Sequence, residues 1–102
     1  MPVSIDTQAA IADRYSDLAS AMQHGDTNAE FAILSPHFVD RSQVKLASFE
    51  LDPLAVMVQK IVALRDGSIE VHARYVGWHG HDANAVDRWV RIGGAWRLAS
   101  HR

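Results

Sequence analysis

Cysteine is absent from all 102 residues, which excludes disulfide bridges, thiolate metal ligands and a thiol nucleophile. A chain without thiols is compatible with a reducing cytoplasm, the compartment expected here. Long apolar runs are missing as well: no stretch approaches the ~20 residues that a membrane-spanning helix requires. The opening "MPVSIDTQAA" has neither a basic region nor an apolar run, so a soluble, untargeted protein that keeps off membranes is expected. Internal repeats and low-complexity linkers are lacking, and residues 1–102 read as one domain. A surplus of positive charge is also absent, the net charge being −2. Residues 1–51 carry three Lys/Arg against seven Asp/Glu, and residues 52–102 carry seven against five. Arg88, Arg91, Arg97 and Arg102 make most of the later excess, but on a strand Arg88 and Arg91 point to opposite faces and form no stripe. A nucleic-acid partner is therefore not expected. Phosphate-cradling loops, a nucleophile elbow and a zinc-ligand helix are missing too, so no cofactor is expected.

Hydrophobic residues make up 48% of the chain, enough for one small core that leaves much surface uncovered, some of which a second copy would bury. Ile5, Ala9, Ala12, Tyr15, Ala19 and Met22 recur at three- and four-residue spacing and predict a helix from about Ile5 to His24. Ser4 or Asp6 can cap its start, and Gly25 suits a left-handed stop. A second helix is predicted from "TNAE", where Thr27 and Glu30 have capping-box spacing, through "FAIL" to Pro36. From His37 the texture changes: "HFVDR" and "VKLASF" read as short strands. Residues 54–65 suit either a helix begun by Asp52 and Pro53 or a strand, and the β-branched Val56, Val58, Ile61 and Val62 favour the strand. Asp66–Gly67 then makes a hairpin with "SIEVHARYVGW", and "NAVDRWVRI", the Gly93–Gly94 turn and "AWRLASHR" add two antiparallel strands. The fold class is thus α+β: two N-terminal helices covering one face of a curved, mostly antiparallel sheet.

Several residues are candidates for chemistry. In "GWHGHD", His79 and His81 at i and i+2 can share a strand face and bind a metal with Asp82 or a distant His101. The spacing is similar to the first cupin motif, but Asp87 falls late for its acid and no second motif follows. Gly80, Asp82, Ala83 and Asn84 are turn formers, so the stretch reads as a hairpin tip and no metal is expected. Asp87 lies within apolar "NAVDRWVRI", in phase with Ala85, Trp89 and Arg91. A carboxyl beside tryptophan in a dry cavity has its acid form favoured and can donate a hydrogen bond; alternatively Asp87 pairs with Arg74 or Arg97. If the Gly93–Gly94 hairpin pairs regularly, His101 shares the face of Asp87 and Trp89 and can act as general base, unless the strand end frays. His72 alternates with Glu70 and Arg74 opposite Ile69, Val71, Ala73 and Tyr75, and either lines a pocket or faces solvent or a partner. Trp78 and Trp96 read as core or interface anchors.

"DRWVRIGGAWRLASHR", with "HGD" at 24–26 and "ILSPHFV" at 33–39, resembles the nuclear transport factor 2-like superfamily, of cystatin-like fold. That group includes steroid isomerases and SnoaL-like polyketide cyclases, and the resemblance covers most of the chain. It implies a cavity between sheet and helices and a homodimer packed through the sheet faces. The usual third helix is missing or vestigial if residues 54–65 are a strand. By the same resemblance Asp87 matches an oxyanion-hole acid, and Tyr15 matches a tyrosine on the first helix; a core tyrosine is the blander account. Where the isomerases carry a proton-shuttling aspartate, this chain has Ser42 or Gln43, with Asp40 nearby, so that isomerisation lacks its base.

The expected function is a pocket for a small apolar or amphipathic molecule, with or without isomerase, cyclase or hydrolase chemistry. Asp87, His101 and Asp40 are its candidate catalytic residues, and Tyr15, Trp89 and His72 its candidate ligand-binding residues. The alternative is a non-catalytic interaction or dimerisation module with a vestigial cavity. A cavity beside Asp87 marks the first and side chains filling that cavity mark the second.

Overall fold

The computed structural model describes residues 3–35, 55–77 and 82–101. Helix α1 runs over Ile5–His24 and α2 over Thr27–Ile33; strands follow as β1 (Ala55–Ala63), β2 (Ile69–Val76), β3 (Asp82–Ile92) and β4 (Ala95–His101). The four strands form one antiparallel sheet in chain order, an α+β arrangement with helix packed on sheet. The β-branched residues of 55–63 prevail over the helical pattern there, and no third helix occurs among the described residues. The expected strands "HFVDR" and "VKLASF" lie outside them, as does Pro36.

Helix α1 begins where Ser4, in extended conformation, accepts a hydrogen bond from the Thr7 N–H. It ends at Gly25, whose φ of 67° is the left-handed conformation that lets its N–H return to the last turn. The buried face differs from the expected stripe. Ile11, Tyr15, Leu18, Ala19 and Met22 are buried, whereas Ile5 is 83% exposed and Ala9 and Ala12 face outward. Ile11 and Leu18 bury far more area than alanines, so they set the rotation of the helix. Helix α2 starts one residue earlier than its capping-box spacing suggested. Asp26 is the N-cap, accepting from the Ala29 N–H at 3.1 Å, which makes Thr27 the first helical residue. A carboxylate is a strong acceptor for the open N–H groups of a first turn.

Strand parity decides the core. Ile69, Val71, Ala73 and Tyr75 of β2 and Ala85, Asp87 and Trp89 of β3 face inward, packing with Leu98 of β4 against α1 and α2. Helix α1 lies against β1 and β4, and α2 against α1 and β4. Arg14 fastens the layers, its Nε donating to the Trp96 carbonyl at 2.9 Å, while Trp96 itself packs at the edge of the core. The β1–β2 turn is held by Asp66, whose Oδ1 accepts from the Ser68 N–H and hydroxyl, and by Gly67 at φ 87°. Those Ser68 bonds hold the Asp66 carboxyl below its usual range. Asp82, Ala83 and Asn84, expected in a turn, are instead paired strand residues opposite Val76, Tyr75 and Arg74.

Candidate functional site: a carboxylate with three donors

Asp87 has no exposed surface, and among the described residues only Ser35 and Ser68 join it as buried polar side chains. Its inward direction follows from β3 parity, with Ala85 and Trp89 on the same face. Tyr15, reaching down from α1, donates its hydroxyl to Asp87 Oδ2 at 2.6 Å. Tyr75, from β2, donates to the same oxygen at 2.5 Å. His101 Nδ1 lies 2.6 Å from Oδ1, and because a carboxylate only accepts, this nitrogen carries the hydrogen. Asp87 is therefore the centre of the network, accepting both phenols on one oxygen and meeting the imidazole with the other. Neither arginine offered as its partner is there: Arg74 pairs with Asp82, and Arg97 sits opposite Val90 on the other sheet face.

Aromatic edges wall the network. The Tyr15 ring meets Trp89 at 5.0 Å and Tyr75 at 6.2 Å between centroids, and Tyr75 meets the His101 ring at 5.1 Å, all near perpendicular. Burial, then the Asp87 charge, pushes both phenols well above the ordinary tyrosine range. Among the described residues the buried Trp89 Nε1–H has no hydrogen-bond partner.

His101 arrives by a route other than regular pairing. Counted from the Gly93–Gly94 turn, regular pairing sets His101 opposite Val86, on the wrong face. The pairing instead steps from Trp89–Leu98 to Arg88–Ser100, leaving Ala99 as a bulge and bringing His101 opposite Asp87. Its side chain is 15% exposed, so the imidazole forms the rim of an otherwise closed centre. The arrangement has the geometry of a dyad, in which a buried carboxyl meets Nδ1 and orients the imidazole.

The structure thus brings together Asp87, His101, Tyr15 and Trp89. It separates His72, which projects from the opposite sheet face, 3.3 Å from Glu70, beside a hollow of about 300 Å³ lined also by Gln59, Asn84 and Val86. Alternation placed His72 correctly out of phase with Val71 and Ala73; only the tertiary structure says which phase is inside. Asp40, Ser42, Gln43, Trp78, His79 and His81 lie outside the described residues. Of the other metal-ligand candidates, Asp82 is engaged by Arg74 and His101 by Asp87, and no cluster of three metal-binding side chains occurs among the described residues. Tyr75 is the member that sequence reading missed. Val71 is the residue opposite Asp87, and Tyr75 stands four positions further along, its ring leaning along the strand. Its phase on the apolar face was legible, but its reach was not. No helix among the described residues is long and apolar enough to cross a membrane. Compared with family models, curated proteins and solved structures, the chain matches none.

Proposed function

We propose that this chain is a small-molecule-binding domain of nuclear transport factor 2-like architecture, in which His101, oriented by Asp87, is the proton-transfer group. The carrying observation is the fully buried carboxylate that holds an imidazole N–H at 2.6 Å on one oxygen and two phenols on the other. Stability alone does not require such a network, because apolar side chains of similar volume fill a core without desolvating a charge. His101 Nε2 takes a proton from a ligand, and the Asp87 charge stabilises the imidazolium that results. Tyr15 and Tyr75 hold the carboxylate in position for this. Trp89 and the tyrosine rings supply an apolar wall, which suits a small apolar or amphipathic ligand undergoing isomerase, cyclase or hydrolase-type chemistry. We take the working form to be a homodimer through the sheet faces, in the cytoplasm.

One observation favours a second reading, a non-catalytic interaction or dimerisation module. Asp87 is enclosed by Tyr15, Tyr75, Trp89 and His101 and keeps no exposed surface of its own. Native mass spectrometry of protein purified without added ligand tests between them. A retained organic mass that is lost in Asp87→Asn supports the pocket, while a bare dimer indifferent to that substitution and to a thermal-shift screen of small molecules supports the module.

A further inference from the structure

We infer that the end of β4 has two registers on β3, and that exchange between them assembles and dismantles the His101–Asp87 pair. The Gly93–Gly94 turn sets regular pairing from Ile92–Ala95 to Trp89–Leu98. On its other side Leu98 is clamped, bridging Leu34 and accepting the Ser35 N–H at its carbonyl at 2.9 Å. Beyond that clamp, regular continuation sets Ala99 against Arg88, Ser100 against Asp87, and His101 against Val86 on the outer face. Among the described residues, the observed register, with Ala99 bulged and His101 on Asp87, differs from it only at Ala99, Ser100 and His101.

Both registers give Asp87 Oδ1 a donor, an imidazole N–H in one and the Ser100 hydroxyl in the other, so slippage leaves no buried carboxylate oxygen stranded. Tyr15 and Tyr75 hold Oδ2 throughout. The Gly93–Gly94 turn, the Leu98 clamp and the helices stay in place. In the second register the imidazole leaves the Tyr75 ring, and the smaller serine opens space at Oδ1. For a carboxylate with no exposed atom, this is the way in for a ligand's hydrogen-bond donor. That last consequence rests on the proposed function; the register exchange needs no ligand, so the two fail separately.

Nuclear magnetic resonance on the full chain tests it. Relaxation dispersion is expected at the Ala99, Ser100 and His101 amides. Removing Ala99 yields a regular hairpin with the histidine still opposite Asp87, so the dispersion disappears while the contact between the imidazole and Tyr75 rings persists. His101→Ala removes the group that favours the bulge, and the cross-strand partner of Asp87 becomes residue 100. Finding residue 101 still opposite Asp87 in His101→Ala, or unchanged dispersion after loss of Ala99, overturns the inference. Should His101→Ala not fold, Ser100→Ala removes the donor of the second register and lowers the dispersion amplitude; the same amplitude as wild type rejects it.

Discussion

Raising the pH should unfold this protein through Tyr15 and Tyr75, the two tyrosines in the chain. Burial and, second, the Asp87 charge hold both phenols protonated in the folded state well above the ordinary value of about 10. In the unfolded chain both ionise as the pH passes about 10, so from there the folded state binds two more protons than the unfolded one. Stability is then complete below about pH 10 and falls above it, by ~1.4 kcal/mol per pH unit for each proton, or ~2.7 for the pair. By about pH 11.5 the loss reaches ~4 kcal/mol, near the lower end of the ~5–15 kcal/mol that holds a domain together. Urea unfolding at stepped pH measures the slope, and near-ultraviolet absorbance of tyrosinate measures ionisation in the native protein. Tyr15→Phe or Tyr75→Phe should halve the slope, which separates these phenols from any lysine contribution. Tyrosinate appearing in folded protein with an ordinary midpoint, or stability flat across that range, would refute the placement of the hydroxyls on Asp87.

Asp87→Ala strips the acceptor from two phenols and an imidazole at once, and a loss of about 3–5 kcal/mol is expected in urea unfolding; a loss below about 1 kcal/mol would mean that the buried network contributes little. Ser4→Ala removes the cap of α1 and should cost about 1 kcal/mol, whereas Ser4→Gly should cost only a few tenths, a pair readable from thermal midpoints. With Asp82 held by Arg74 and His101 by Asp87, zinc or a chelator should leave the melting temperature where it is; a stoichiometric rise with zinc would revive the "GWHGHD" stretch as a metal site.

Much of the local structure is legible because it depends on neighbours in the chain. The capping of α1 by Ser4 and Gly25, the strand over residues 55–63 and the Asp66–Gly67 and Gly93–Gly94 turns follow from side-chain branching, hydrogen-bonding reach and permitted φ. The phase of Asp87 with Ala85 and Trp89 was equally plain, since alternation on a strand is a local fact. The α1 face was misjudged where spacing gave alanine the weight of isoleucine, although area decides which side is buried.

The sequence by itself determined an α+β chain with a carboxyl on the apolar side of one strand, a tyrosine on the first helix and a histidine on the last strand. Only the tertiary structure decided that these meet. The bulge at Ala99 turns His101 inward, the packing of α1 lowers Tyr15 onto Asp87, and Tyr75 arrives from four positions along the neighbouring strand. It also decided that His72, equally placed by alternation, stands on the other face. The reason is physical: parity is set by each strand alone, but which parity is inside, and where a bulge is stable, depends on the free energy of the assembled core. A buried carboxylate requires donors, and in the bulged register the third is the imidazole of His101 rather than the hydroxyl of Ser100.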